Sequence, residues 1–204
     1  LADPGQHDYD RVTNPVTIWS MSPEAHNRSV PNKVSQDRAK LRGMKVARRG
    51  SVGDASMFSS DLGSIQTRRV LSDDKRQSIE VGDVAAMGQT QYWHLGLGWQ
   101  EKSSTDTEVV LRHTKGKELH VSSPDGDISV VPASLNPIAG LLVTGFEVAV
   151  PSLELHVKGG SGLTTVMTLV NPRKPRPTTP EISRDTTAGN KSVELMWADP
   201  TLDT

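Results

Sequence analysis

The chain has no cysteine, which excludes disulfides, thiolate catalysis and cysteine-ligated zinc or iron–sulfur sites. It is nearly as poor in aromatics: four Trp, two Tyr and two Phe among 204 residues. Hydrophobic residues make up 34%, against the roughly 45–50% apolar usage, glycine included, of an ordinary domain. Such a chain has material for one modest core. No stretch approaches the ~20 apolar residues of a membrane helix, and the first residues lack the charged-then-apolar order of a secretion signal. A formal net charge of −1 sets up no global field toward nucleic acid or membrane.

What is present divides into three zones. Residues 1–78 are polar, with Pro, Asn, Gly and Ser clusters typical of loops and extended chain. Within them "VTIWSM" (16–21) predicts a short strand. "VSQDRAKLRGMKVARR" predicts a short helix over 34–49, with Val34, Leu41 and Met44 near one face and Gly43 weakening it. No run in this N-terminal arm is apolar enough to build a core of its own.

Residues 79–171 carry β-branched runs separated by turn signals every 8 to 12 residues. The runs "SIEVGDV", "QTQYWHLGLGWQ", "EVVLRH", "ELHVSS", "ISVVP", "GLLVTGFEVAV", "LELHV" and "LTTVMTLV" predict about eight strands. We therefore expect a mainly β fold, an antiparallel β-sandwich or barrel-like domain with an irregular arm before it and a tail behind it. The run 89–100 holds two of the four tryptophans and should supply much of the core. Residues 172–204 open with "PRKPRPTTPE", a Pro-rich linker near polyproline II. Then comes "SVELMWADP", where Val193, Leu195, Met196 and Trp197 suggest a docking segment, with Trp19 in the arm as a second docking aromatic.

No motif identifies a reaction. In "LELHVKGGSGLTTVMTLV" (153–170) Lys158 precedes the glycines, and a β-branched run follows them. A phosphate-cradling loop needs the lysine after the glycines and a helix next, so the segment reads as a hairpin turn. Gly159–Leu163 lacks the last glycine of a nucleophile elbow, and "DTTAG" (185–189) has Thr187 where an aspartic protease needs glycine. Pairing His113 with Glu118 and Leu111 with His120 across a Lys115-Gly116 turn would put His113, Glu118 and His120 on one sheet face. We read that trio as a solvated face and not as a metal set. No catalytic residue, metal or cofactor is expected.

The strongest charge feature is basic. Lys33, Arg38, Lys40, Arg42, Lys45, Arg48 and Arg49 face a single acid, Asp37, between positions 33 and 49. Lys40, Arg42, Lys45, Arg48 and Arg49 are the candidate phosphate-binding set, with nucleic acid as the partner they would suit. Ordering an arm without a core costs about 1–2 kcal/mol of backbone entropy per residue, which points to help from partners. The expectation is therefore a non-enzymatic structural subunit of a large assembly, a capsid or virion-surface protein. Its partners would be copies of itself or another shell protein, with no membrane contact. The alternative is a β-domain binding module for nucleic acid or carbohydrate, with the basic arm as an accessory.

Overall fold

The computed structural model describes residues 1–2, 5–31, 40–49, 52–61, 64–85 and 88–171. The first element is a helix, α1 (Pro15–Ser20), followed by a 3-10 turn at Pro23–Ala25. The strands begin with β1 (Arg28–Pro31), β2 (Lys40–Arg49), β3 (Val52–Asp61) and β4 (Ser64–Asp73). Next are β5 (Ser78–Val84), β6 (Gln89–His94), β7 (Trp99–Ser104), β8 (Glu108–His113) and β9 (Glu118–Ser122). Last come β10 (Gly126–Pro132), β11 (Ser134–Leu135), β12 (Ile138–Ala139), β13 (Leu141–Gly145), β14 (Val148–Pro151), β15 (Leu153–Gly159) and β16 (Gly162–Val170).

The fold is mainly β and every strand pairing is antiparallel. An eight-stranded sheet runs β2-β3-β4-β5-β16-β9-β8-β7, and a four-stranded sheet runs β1-β6-β15-β10. Alternation decides what lies between them. Trp93, Leu155, Val157 and Ile128 of the smaller sheet meet Val81, Val109, Leu111, Val121, Leu163 and Met167 of the larger one in a single buried cluster. Trp93 is at its centre, and Trp99 packs at its margin.

Polar groups also tie the two sheets together. Arg68 grips Asp83 with two hydrogen bonds of 2.7 and 2.8 Å, and its guanidinium lies 5.2 Å from the Trp93 ring centroid. Gln91, on the core side of β6, donates to Asp83 at 2.7 Å and accepts from Thr165. Gln89, Gln91 and Asp83 each have hydrogen-bond partners, which is what lets them stay buried.

Four expectations need correction. The segment 16–21 is helical and not a strand, because Asn14 accepts hydrogen bonds from the Val16 and Thr17 amides and Pro15 takes the first helical position. That cap outweighs the β-branched content. The helix expected over 34–49 is a strand from Lys40 onward. Leu41 pairs with Ser59 and Met44 with Met57, so three residues of β2 span two of β3 across a bulge. A bulge thus gives a three-residue apolar spacing that imitates helical periodicity. The turn after β8 contains three residues, with Gly116 at φ 83°, and pairs Arg112 with Glu118. This shifts the expected register by one and takes His113 off the face of Glu118 and His120. Finally, 159–162 does not close a hairpin, since β15 and β16 belong to different sheets and the turn steps between layers.

Candidate functional site

The face of the four-stranded sheet that looks away from the core gathers ionisable and aromatic groups from its two middle strands. Trp93, Leu155 and Val157 turn inward, so Tyr92, His94, Glu154 and His156 turn outward. Antiparallel pairing sets Tyr92 opposite His156 and His94 opposite Glu154. It also sets Arg28 opposite Tyr92 and Ser129 opposite His156. Arg28, Tyr92, His156 and Ser129 therefore form one cross-strand row over all four strands.

Such a face is ordinarily solvated, yet Glu154 is 1% exposed and His94 2%. The N-terminal segment covers one end. Trp19 of α1 meets the His94 ring edge-on at 6.0 Å, and His94 Nε2 lies 2.9 Å from the Glu24 carbonyl. Asn27 accepts from the His94 amide at 2.7 Å, and Ala2 donates to the His94 carbonyl at 2.9 Å.

Glu154 organises the interior of this cluster. One carboxylate oxygen accepts the Gly140 amide at 2.8 Å, and the other lies 2.7 Å from His156 Nε2. A carboxylate only accepts, so His156 carries its proton on Nε2 and presents Nδ1 elsewhere. The same reasoning at the Glu24 carbonyl puts the His94 proton on Nε2, with Nδ1 3.7 Å from Glu154. The Tyr92 ring stands 4.7 Å from that of His156, at 65°. Burial pushes the Tyr92 phenol above its usual range, and the carboxylates of Glu24 and Glu154 push it the same way. Chemically, the row is a half-buried imidazole of fixed tautomer (28% exposed) flanked by a phenol and a serine, with a guanidinium beyond the phenol. Its guanidinium can take an anionic group, and the Nδ1 of its imidazole can accept a ligand hydroxyl.

The residues singled out by sequence lie elsewhere. Trp19 is half-buried against its own domain. Lys40, Arg42, Lys45, Arg48 and Arg49 sit along β2, the edge strand of the larger sheet, with Lys45 exposed. Val193, Leu195, Met196 and Trp197 lie outside the described residues. His113 contacts Trp99 and the Leu97 carbonyl. Glu118 instead takes Lys102 at 2.7 Å and His120 at 3.4 Å, and the Lys102 hydrogen bond holds its carboxyl below the ordinary value. Among the described residues no group of three or more His, Asp or Glu is arranged to hold a metal ion. Sequence reasoning missed the Tyr92–His156 cluster. Its signal was the polar phase of two alternating strands some sixty residues apart, which only their register joins.

No protein-family profile matches the chain, and no curated protein does. Solved structures do. The chain superimposes on a mutant of the heparan sulfate lyase HepC from Pedobacter heparinus with a TM-score of 0.70 at 15% identity, over 92% of its own length. A second HepC structure gives 0.67 at 14% identity, and a heparinase III gives 0.63 at 12% over 83%. The chain spans only about 30% of the length of these lyases. At such identities the likeness is one of fold.

Proposed function

We propose that the chain is a carbohydrate-engaging β-sandwich, the β portion of a protein that handles an acidic polysaccharide. The row Arg28–Tyr92–His156–Ser129 is the surface it would use. The observation that carries this reading is the likeness to heparan sulfate lyases across 92% of the chain at a TM-score of 0.70. The row is consistent with it, because the Arg28 guanidinium suits a carboxylate or sulfate group, the His156 Nδ1 can accept a sugar hydroxyl, and a phenol ring suits the body of a sugar. The chain's neighbours in fold are enzymes. For the chain by itself we keep to binding, which the row's chemistry is sufficient to provide.

The shell-subunit expectation drew on an arm without a core of its own. Strands β1 to β4 find their partners inside this chain's sheets, so that motive lapses for residues 28–31 and 40–73. The carbohydrate alternative keeps its support.

Calorimetric titration of the purified chain with heparan sulfate, beside uncharged dextran, tests the reading. Heparan sulfate should bind and dextran should not, with affinity falling as salt screens the charges. His156→Ala and Arg28→Ala should each weaken binding roughly tenfold, about 1.4 kcal/mol. Equal affinities for both polymers, or folded variants that bind as the wild type does, would overturn it.

A further inference from the structure

Tyr9 and Phe146 form an exposed aromatic pair that neither the core nor the row uses. Their ring centroids are 5.5 Å apart at 47°, yet Tyr9 is 81% exposed and Phe146 61%. The whole chain has two Tyr and two Phe, so one of each stands on this surface. Val12 and Val148 beside them in sequence are exposed as well.

The pair is held in place from both sides. The Glu147 amide donates to the His7 carbonyl at 2.8 Å, tying the β13–β14 turn to the segment before α1. Glu147 itself adopts a φ of 57°, a tight-turn conformation that fixes Phe146 at the tip. On the other side, buried Asp8 accepts from Thr17 at 2.7 Å and Asn14 at 2.6 Å. Asp10 accepts from the Val12 and Thr13 amides and from the Thr13 hydroxyl. These bonds hold the Asp10 carboxyl down at about 2. The loop bearing Tyr9 is thus a closed turn and not a loose end.

Two elements connect the pair to the outer face of the four-stranded sheet. The Tyr9 loop leads into α1, whose Trp19 touches His94. Strand β13 leads to Phe146 from Gly140, whose amide bonds Glu154.

We propose that Tyr9 and Phe146 are an outlying sugar subsite, taking an unsulfated pyranose ring of a glycan whose charged part lies on the row. The inference rests on the glycan reading above. Two tilted rings present π faces to the apolar C–H side of a sugar. Asp10 and Glu147, next to the two rings in sequence, are acidic, which disfavours a sulfate there. A protein partner fits less well: two aromatic side chains offer at most about 500 Å², against roughly 800 Å² per side in a stable interface.

The test uses the full chain with a desulfated, N-acetylated heparan sulfate disaccharide and octasaccharide, read by calorimetry. The octasaccharide should bind at least tenfold more tightly than the disaccharide. Tyr9→Ala and Phe146→Ala should lower octasaccharide affinity by about five- to tenfold and leave the disaccharide unchanged, whereas His156→Ala weakens both. Exposed sites spare the fold, which near-ultraviolet dichroism would verify. Wild-type affinity in both aromatic variants would overturn the subsite. So would loss of self-association in sedimentation with glycan binding intact, which would mark a surface between copies. If the wild type binds heparan sulfate but neither desulfated length, the subsite falls alone; if it binds none of the three, the glycan reading falls and the subsite with it.

Discussion

Glu80 shows what happens when a charge is placed on the wrong side of a strand's pattern. It lies on the face of β5 opposite Val81, paired with Leu71 and Val166, and is 2% exposed. One of its carboxylate oxygens has no hydrogen-bond partner among the described residues. Burial pushes the acid from 4.5 up to about 7, opposed by Arg69, whose guanidinium is engaged by Asp54 at 2.8 Å. Below about 4.5 the group is neutral in both folded and unfolded chains and contributes no slope. Between about 4.5 and 7 the unfolded chain loses its proton first, so stability falls as pH rises, and it levels off above 7. A Glu80→Gln variant should match the wild type at pH 4.5 and exceed it at pH 8 by on the order of 3 kcal/mol. Urea denaturation at both values measures this, and parallel pH profiles would refute it. The strand "SIEVGDV" was legible from alternation. The burial of its polar phase was not, because that depends on β4 and β16, which sequence does not place beside it. His94 and Glu154 escaped notice for the same reason.

At the scale of elements, local alternation worked where strands ran without defect and failed where a cap or bulge intervened. Strands β5, β8, β9, β10, β15 and β16 fall where β-branched periodicity put them. Helix α1 and strand β2 do not, owing to Asn14-Pro15 and the bulge after Leu41. The glycines of 159–162 were read correctly as a turn, but their purpose is packing. Gly159 pairs with Gly126 where β15 and β10 pass Leu163. A Cβ on Gly159 would sit 2.6 Å from Leu163 Cδ1 and 2.8 Å from the Asp125 carbonyl oxygen, and one on Gly126 equally close to Leu163 and the Lys158 oxygen. Leu163 is fully buried, and Lys158 belongs to a paired strand, so neither yields easily. Gly159→Ala and Gly126→Ala should each destabilise the domain by about 1–3 kcal/mol. Gly160→Ala, with open space around it, should cost far less. Equal midpoints in chemical denaturation for all three would show that packing at this corner is not what requires glycine.

For the whole molecule, the division into arm, domain and tail needs redrawing, because the first residues are built into the site. Ala2 bonds the His94 carbonyl, Asn27 bonds the His94 amide, and Arg68 donates to the Asn27 carbonyl at 2.7 Å. Ala25 and Thr17 are completely buried. Three cross-links at about 1 kcal/mol each, together with the lost cover over His94, put the contribution of residues 1–27 at 3 kcal/mol or more. For a domain of this size that is a melting shift of roughly 6–12 °C. A chain beginning at Arg28 should melt lower by that margin and expose Tyr92 and His94 to solvent. At the opposite end β16 closes at Val170, and among the described residues the buried cluster runs from Val81 to Met167. A chain ending at Asn171 should therefore melt as the full chain does. Differential scanning calorimetry on the two truncations separates them. An unchanged melting temperature without residues 1–27 would mean that the segment lies on the sheet without holding it, and a drop on removing 172–204 would return a structural role to the tail.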